Sequence, residues 1–167
     1  MQIELNDITL YPLSSEEYSL WLNDLPALEK KLNCSYDAEP VAFTFKKVVE
    51  EELVLGLADA PEAWIWYTFW FIIRESDRKV IGLLCFKGKP DPDSGKIEIG
   101  YGLGNKYLHQ GYMTRAVKGV CKWAKKQPGV KLIMAETLPD NEASHALLAR
   151  CGFESYLMTK ESLWWAL

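Results

Sequence analysis

Asp140-Asn141-Glu142-Ala143-Ser144-His145-Ala146-Leu147-Leu148-Ala149-Arg150-Cys151-Gly152-Phe153 is the stretch that decides the reading of this chain. Asparagine is a favoured helix N-cap and glycine a favoured terminator, so the segment predicts a short helix over 141–151 that hands into a strand at Phe153. Upstream lies Gly111-Tyr112-Met113-Thr114-Arg115-Ala116. It opens a second helix, 111–126, whose Met113, Ala116, Val117, Val120, Cys121 and Ala124 share one apolar face, and Pro128-Gly129 ends it. Each helix follows a predicted strand. A strand that leads through a short loop into a helix start presents unpaired backbone N–H groups and the positive end of the helix dipole. Such a terminus can hold a phosphate without a lysine. Gly111 removes the side chain at the point of approach, and the Thr114 hydroxyl can add a bond.

Outward from these segments the chain alternates between strands and helices. Lys96-Ile97-Glu98-Ile99-Gly100-Tyr101-Gly102-Leu103 reads as a strand with two internal glycines, which mark a bulge or the close approach of another backbone. Residues 67–74 and 80–86 are continuous apolar runs separated by Glu75-Ser76-Asp77-Arg78-Lys79, an antiparallel pair buried on both faces. Residues 2–11 alternate as a strand, and Ser14-Ser15-Glu16-Glu17 starts helical patterning that runs with interruptions to Lys31. A polar break follows over 33–40, then a helix over 42–57 with Phe45, Val49, Leu53 and Leu57 on one face. Residues 130–136, 153–158 and 163–167 complete the strands. The order is strand, helices, three strands, helix, strand, helix, two strands. It specifies a single α+β domain over 1–167 with a mixed sheet.

Composition narrows the class. A chain of 167 residues supports one sizeable core. Its net charge of -4 argues against a nucleic-acid phosphate binder and leans toward cationic partners. The N-terminus is unlike a signal peptide, and the longest apolar run, 64–73, is too short to span a bilayer. Cys34, Cys85, Cys121 and Cys151 are scattered, without a CxxC pair or histidines at ligand spacing, so neither a disulfide framework nor a metal site is expected. A cytoplasmic protein, monomer or homodimer, with reduced cysteines is the expectation.

The two opening segments, in this order, resemble the acyl-CoA-binding motifs of the GNAT N-acetyltransferase superfamily. The Gly-x-Met-Thr-x-Ala form of 111–116 fits the branch of ribosomal-protein N-terminal (alanine/serine) acetyltransferases. Against the family's Arg/Gln-x-x-Gly-x-Gly/Ala pattern, the chain has Lys106, His109 and Gly111 at the specified positions. The glycine matches; His109 replaces the first glycine and Lys106 the usual Arg/Gln. Val80-Ile81-Gly82, Phe86-Lys87-Gly88 and residues 97–103 are similar to that branch's central strands. The resemblance covers about 70–153.

The resemblance implies a GNAT-like fold, a mostly antiparallel mixed sheet splayed between its fourth strand (96–103) and fifth (130–136) and flanked by helices. It implies acetyl-CoA as co-substrate and no metal. His109, Gln110, Gly111, Tyr112, Met113 and Thr114 would hold the pyrophosphate, Asn141 and Ser144 would face the pantetheine arm, and main-chain groups near Gly102 and Leu103 would pair with it. The reaction implied is direct acetyl transfer to a primary amine, a protein N-terminus or a small molecule, within a ternary complex. A strand-four N–H would stabilise the oxyanion. Glu98 and Glu136 are the candidate bases for the amine proton. Many family members carry a tyrosine acid four residues before the Gly-Phe glycine; here that position is Leu148, leaving Ser144 or Tyr101 to protonate the thiolate.

Several residues have plainer readings. Adjacent helix positions diverge, so His145 does not pair with Ser144, and Cys151 reads as a buried small hydrophobe. Trp64, Trp66, Tyr67 and Trp70, with Glu50, Glu51, Glu52, Asp59 and Glu62, stand where the fold builds its acceptor groove, or else are core and solvated helix face. Trp164 and Trp165 could form an exposed contact patch. The rivals to an enzyme are a non-catalytic acyl-CoA-binding module and an unrelated interaction domain.

Overall fold

A computed structural model describes residues 1–41, 46–47, 50–51 and 61–167, with the side chains of Pro61 and Glu62 left aside. The helix expected over 42–57 falls largely outside the described residues, as do Glu52 and Asp59. The strands are β1 (Ile3–Leu5), β2 (Ile8–Pro12), β3 (Ser35–Tyr36), β4 (Phe69–Arg74), β5 (Lys79–Phe86), β6 (Lys96–Leu103), β7 (Leu132–Thr137), β8 (Glu154–Met158) and β9 (Leu163–Ala166). Among the described residues the α-helices with defined bounds are α1 (Ser15–Asn23), α2 (Leu25–Leu32), α3 (Tyr112–Ala124) and α4 (Glu142–Cys151). One sheet runs in the order β1-β2-β4-β5-β6-β7-β9-β8, with β3 pairing in parallel to β5. Among these pairs only β3–β5 and β6–β7 are parallel.

Local chemistry explains the boundaries and two departures from the sequence reading. The single strand expected over 2–11 is a hairpin, because Asn6 takes a left-handed conformation (φ 44°) at a two-residue Asn-Asp turn. The helical stretch to Lys31 divides at Asp24, which ends α1 and caps α2 by accepting the Ala27 N–H at 3.1 Å. Ser14 and Glu17 form a reciprocal capping box that starts α1. Asn141 caps α4 by accepting the Ser144 N–H at 3.1 Å, and Gly152 (φ 93°) closes that helix.

The sheet carries a core on each face. Ile72, Ile81, Leu84, Ile97 and Ile99 pack toward Met113, Val117 and Val120 of α3 and Leu148 of α4. On the opposite face Tyr18 and Trp21 of α1 and Leu28 of α2 cover Phe69, Phe71, Ile73, Val80 and Leu83. Two of the four aromatics are core: Trp70 is wholly buried, its ring and that of Trp66 lie 5.1 and 5.2 Å from the Trp123 ring, and Trp64 and Tyr67 pack half-buried against the same core. Trp165 is also buried and donates its indole N–H to Thr137 at 3.1 Å, so it takes no part in the exposed patch considered from sequence, whereas Trp164 is half-buried. Among the described residues no helix is long and apolar enough to cross a membrane.

Candidate active site

The loop between β6 and α3 is pinned from below. Gly104 donates to the Ile81 carbonyl at 2.8 Å. The Tyr107 hydroxyl and Lys106 ammonium converge on Asp37 at 2.5 and 3.0 Å, and Lys79 joins at 3.5 Å. Lys106 is thereby committed to Asp37. Above this anchor His109 (φ 61°) and Gly111 (φ 78°) both adopt left-handed backbone. For histidine that conformation costs about 1–2 kcal/mol. It also gives a physical reason for the glycine that the family pattern places there. No backbone or side-chain acceptor among the described residues takes the N–H groups of His109 to Thr114, and α3 has no side-chain cap. The helix start therefore presents the unengaged donors that an anion cradle requires.

Arg115 flanks this cradle, a contribution the sequence reading did not include. Its guanidinium stacks 5.0 Å from the Tyr112 ring centroid, pairs with Asp7 at 2.7 Å and leaves Nε buried without a hydrogen bond. A Cβ added at Gly111 would stand 2.9 Å from Arg115 Nη1. The four-residue step from Gly111 to Arg115 on a helix was the available signal.

The splay is present. β6 and β7 pair from Lys96↔Leu132 to Ile99↔Ala135 and no further, although β6 continues to Leu103 and β7 to Thr137. Strand phase shows which main-chain groups the gap receives. Lys87 donates to Glu98 and Gly104 to Ile81, so the even-numbered residues of β6 turn their backbone toward β5. Tyr101 and Leu103 consequently turn theirs into the gap, where β7 offers no ladder partner. This corrects the expectation for Gly102, whose peptide groups face β5. The space beside Gly102 is open, since a Cβ there would meet nothing within 4 Å. Gly100 is different, since its Cβ would come within 3.1 Å of Cys85 Sγ.

Side chains around the splay divide between the two faces. On the α3/α4 side the Tyr101 hydroxyl is buried without a well-formed hydrogen bond. Burial raises its pKa, a tendency that the neighbouring Ser144 side chain opposes. The two candidate acids thus lie together. Leu148 is wholly buried, and burial raises the Cys151 thiol. His145 meets the Leu138 carbonyl at 3.0 Å and not Ser144.

On the opposite face Glu98 and Glu136 come together through one lysine. Lys87 forms an ion pair with Glu98, and its Nζ lies 3.8 Å from Glu136 Oε2. The Ser162 hydroxyl donates to Glu136. The Glu98 side chain is only 18% exposed, and its Oε1 atom is buried with the ammonium as its contact. The site therefore has hydroxyls on one side of the gap and carboxylates on the other. Among the described residues no group of His, Cys, Asp and Glu could hold a metal ion.

The family model for the acetyltransferase (GNAT) domain matches residues 15–154, and the chain belongs to that family. It is 30% identical over 96 residues to the [ribosomal protein uS5]-alanine N-acetyltransferase of Escherichia coli (strain K12), a match covering 57% of this chain and 50% of that protein. The chain spans about half the length of the curated relatives it matches. In fold it is similar to ribosomal-protein-S5-alanine acetyltransferase from Vibrio fischeri, with TM-score 0.69 at 20% identity, covering 100% of this chain and 96% of the other. The microcin C7 self-immunity acetyltransferase, solved with acetyl-CoA and AMP, gives TM-score 0.61 at 20% identity over 98% and 93% of the two chains.

Proposed function

We propose that the chain is an N-acetyltransferase that moves the acetyl group of acetyl-CoA to a primary amine by direct attack in a ternary complex. One observation carries this reading: the splay opens between an unengaged N–H cradle at one end and a carboxylate pair at the other. Acetyl-CoA supplies an activated thioester and a long flexible arm. From Leu103 back to Ile99 the gap runs about 13 Å at roughly 3.3 Å per residue, a span suited to such an arm.

The residues then take distinct roles. The N–H groups of 109–114, with Arg115 beside them, bind the pyrophosphate, while Asn141 and Ser144 flank the arm. The Leu103 and Tyr101 main chains hold it, and the Tyr101 N–H is placed to stabilise the oxyanion, an effect of about 10²–10³ in rate. Glu98 takes the amine proton, with Glu136 as second carboxylate. Tyr101, with Ser144 at its hydroxyl, returns a proton to the thiolate from the other face. Acid and base on opposite faces suit a nucleophile that enters as the thiol leaves. Paired carboxylates favour a cationic amine, and the relative named for a ribosomal-protein alanine puts a protein N-terminus ahead of a small polyamine. A cytoplasmic location accords with such acceptors.

The test is release of free thiol from acetyl-CoA with peptides beginning in alanine or serine and with spermidine. Turnover with any of these amines is expected. Saturable binding without turnover toward any amine would favour the acyl-CoA-binding module instead.

A further inference from the structure

Lys87 is the residue whose placement the proposed function leaves unexplained. It follows β5 directly and stands opposite Glu98 of β6, and its side chain extends across β6 toward β7. There its Nζ lies 3.8 Å from Glu136, the residue after Ala135, where the β6–β7 ladder stops. The amine of Lys87 therefore sits over the apex of the splay. An arm entering from the cradle ends at that apex. The same amine contacts Glu98, the candidate base, and half of the Lys87 side chain remains exposed to solvent.

We propose that Lys87 is an internal acetyl acceptor, a modification site within the active site. The inference rests on the proposed acetyl-CoA-dependent function. In the absence of an external amine, Lys87 Nζ gives a proton to Glu98 and attacks the thioester carbonyl carbon. The new N–C bond replaces the C–S bond, and the departing thiolate takes a proton from Tyr101 or Ser144. The acylated nitrogen loses its second proton, which restores that hydroxyl through solvent, and Glu98 passes the first to solvent, so that one proton is released overall. The products are free coenzyme A thiol and a neutral Nε-acetyl-lysine, with no other reactant consumed. The modification removes the ammonium that Glu98 and Glu136 share. Both carboxylates are then left for an incoming cationic amine. Among the described residues no other lysine combines these features: Lys106, for instance, is held by Asp37 beside the cradle, outside the gap.

The experiment incubates the full chain with acetyl-CoA alone and follows each lysine by intact and fragment mass. Wild type is compared with Lys87→Arg and Glu98→Gln, and acetyl-CoA binding is measured in parallel on each. One acetyl group on Lys87 is expected, added at least tenfold faster than on any other lysine and at a rate independent of protein concentration. Glu98→Gln should slow it at least tenfold while retaining acetyl-CoA binding, and Lys87→Arg should gain no acetyl group at the active site. Lys87 unmodified, or modified no faster than surface lysines, in protein that binds acetyl-CoA and acetylates an amine would overturn the inference and leave the function standing. Absence of acetyl-CoA binding would overturn both.

Discussion

Ile99 of β6 and Ala135 of β7 are the last residues that face each other before the two strands part. Every functional group assigned above is placed relative to that pair. Glu98 precedes Ile99 and Glu136 follows Ala135, so the two carboxylates bracket the apex on one face. Tyr101, two residues beyond Ile99, points to the other face and toward Ser144. The anion cradle lies past the open end.

If Glu98 is the base, Glu98→Gln lowers kcat by about 10²–10⁴ while acetyl-CoA affinity changes little. Glu136→Gln should cost less, because Glu136 meets the Lys87 ammonium at the longer distance. Steady-state kinetics with a responsive amine acceptor, together with binding measurements, checks both. Equal kcat in wild type and Glu98→Gln would remove Glu98 from the chemistry.

Tyr101→Phe and Ser144→Ala probe the opposite face. The two hydroxyls are neighbours, so their effects should be non-additive: either change lowers kcat, and the double variant is little worse than Tyr101→Phe. Additive losses would mean that they act independently. In Tyr101→Phe the main-chain N–H is retained, so the oxyanion contribution is not disturbed.

The glycines offer a paired test of space against packing. A Cβ at Gly82 would press within 2.6 Å of the Gly102 carbonyl oxygen, so Gly82→Ala should destabilise by about 1–3 kcal/mol. Gly102→Ala meets nothing within 4 Å and should leave stability within about 0.5–1 kcal/mol, yet narrow the entrance and raise KM. Urea denaturation and kinetics on the two variants read this directly.

Much of this was legible in the sequence, and the remainder was not for identifiable reasons. Gly111, Asn141, Ser144 and Gly152 announce two helix starts and a helix end because caps are local chemistry. The buried pair β4 and β5 shows as the apolar runs 67–74 and 80–86. The role of Lys87 does not show, since it arises from registers 87 to 98 and 98 to 134 in strands far apart in sequence. Strand phase likewise decided that Tyr101 and Leu103, not Gly102, offer main-chain groups to the gap. Burial of Trp165 depends on β9 lying between β7 and β8, which periodicity over four residues cannot reveal.

Asp37 gives the fold a pH dependence. The Tyr107 hydroxyl first, then Lys106, holds its carboxyl at about 2, below the ordinary 3.8. A carboxyl lowered in the folded state stabilises fully above its unfolded value, and that contribution is lost as pH falls from about 3.8 to about 2. Asp37→Asn should therefore be less stable than wild type near neutral pH, with the difference closing as pH approaches about 2. Urea midpoints measured across that range test it. A difference that stayed constant would show that Asp37 acts through packing.

Titration of acetyl-CoA into the purified chain by calorimetry tests the central claim most directly, with Gly111→Glu as the comparison. That variant places a carboxylate in the cradle, at a left-handed position beside Arg115. Saturable binding by wild type and its loss in a folded Gly111→Glu variant is the predicted result. A folded wild-type protein that takes up no acetyl-CoA would contradict the account.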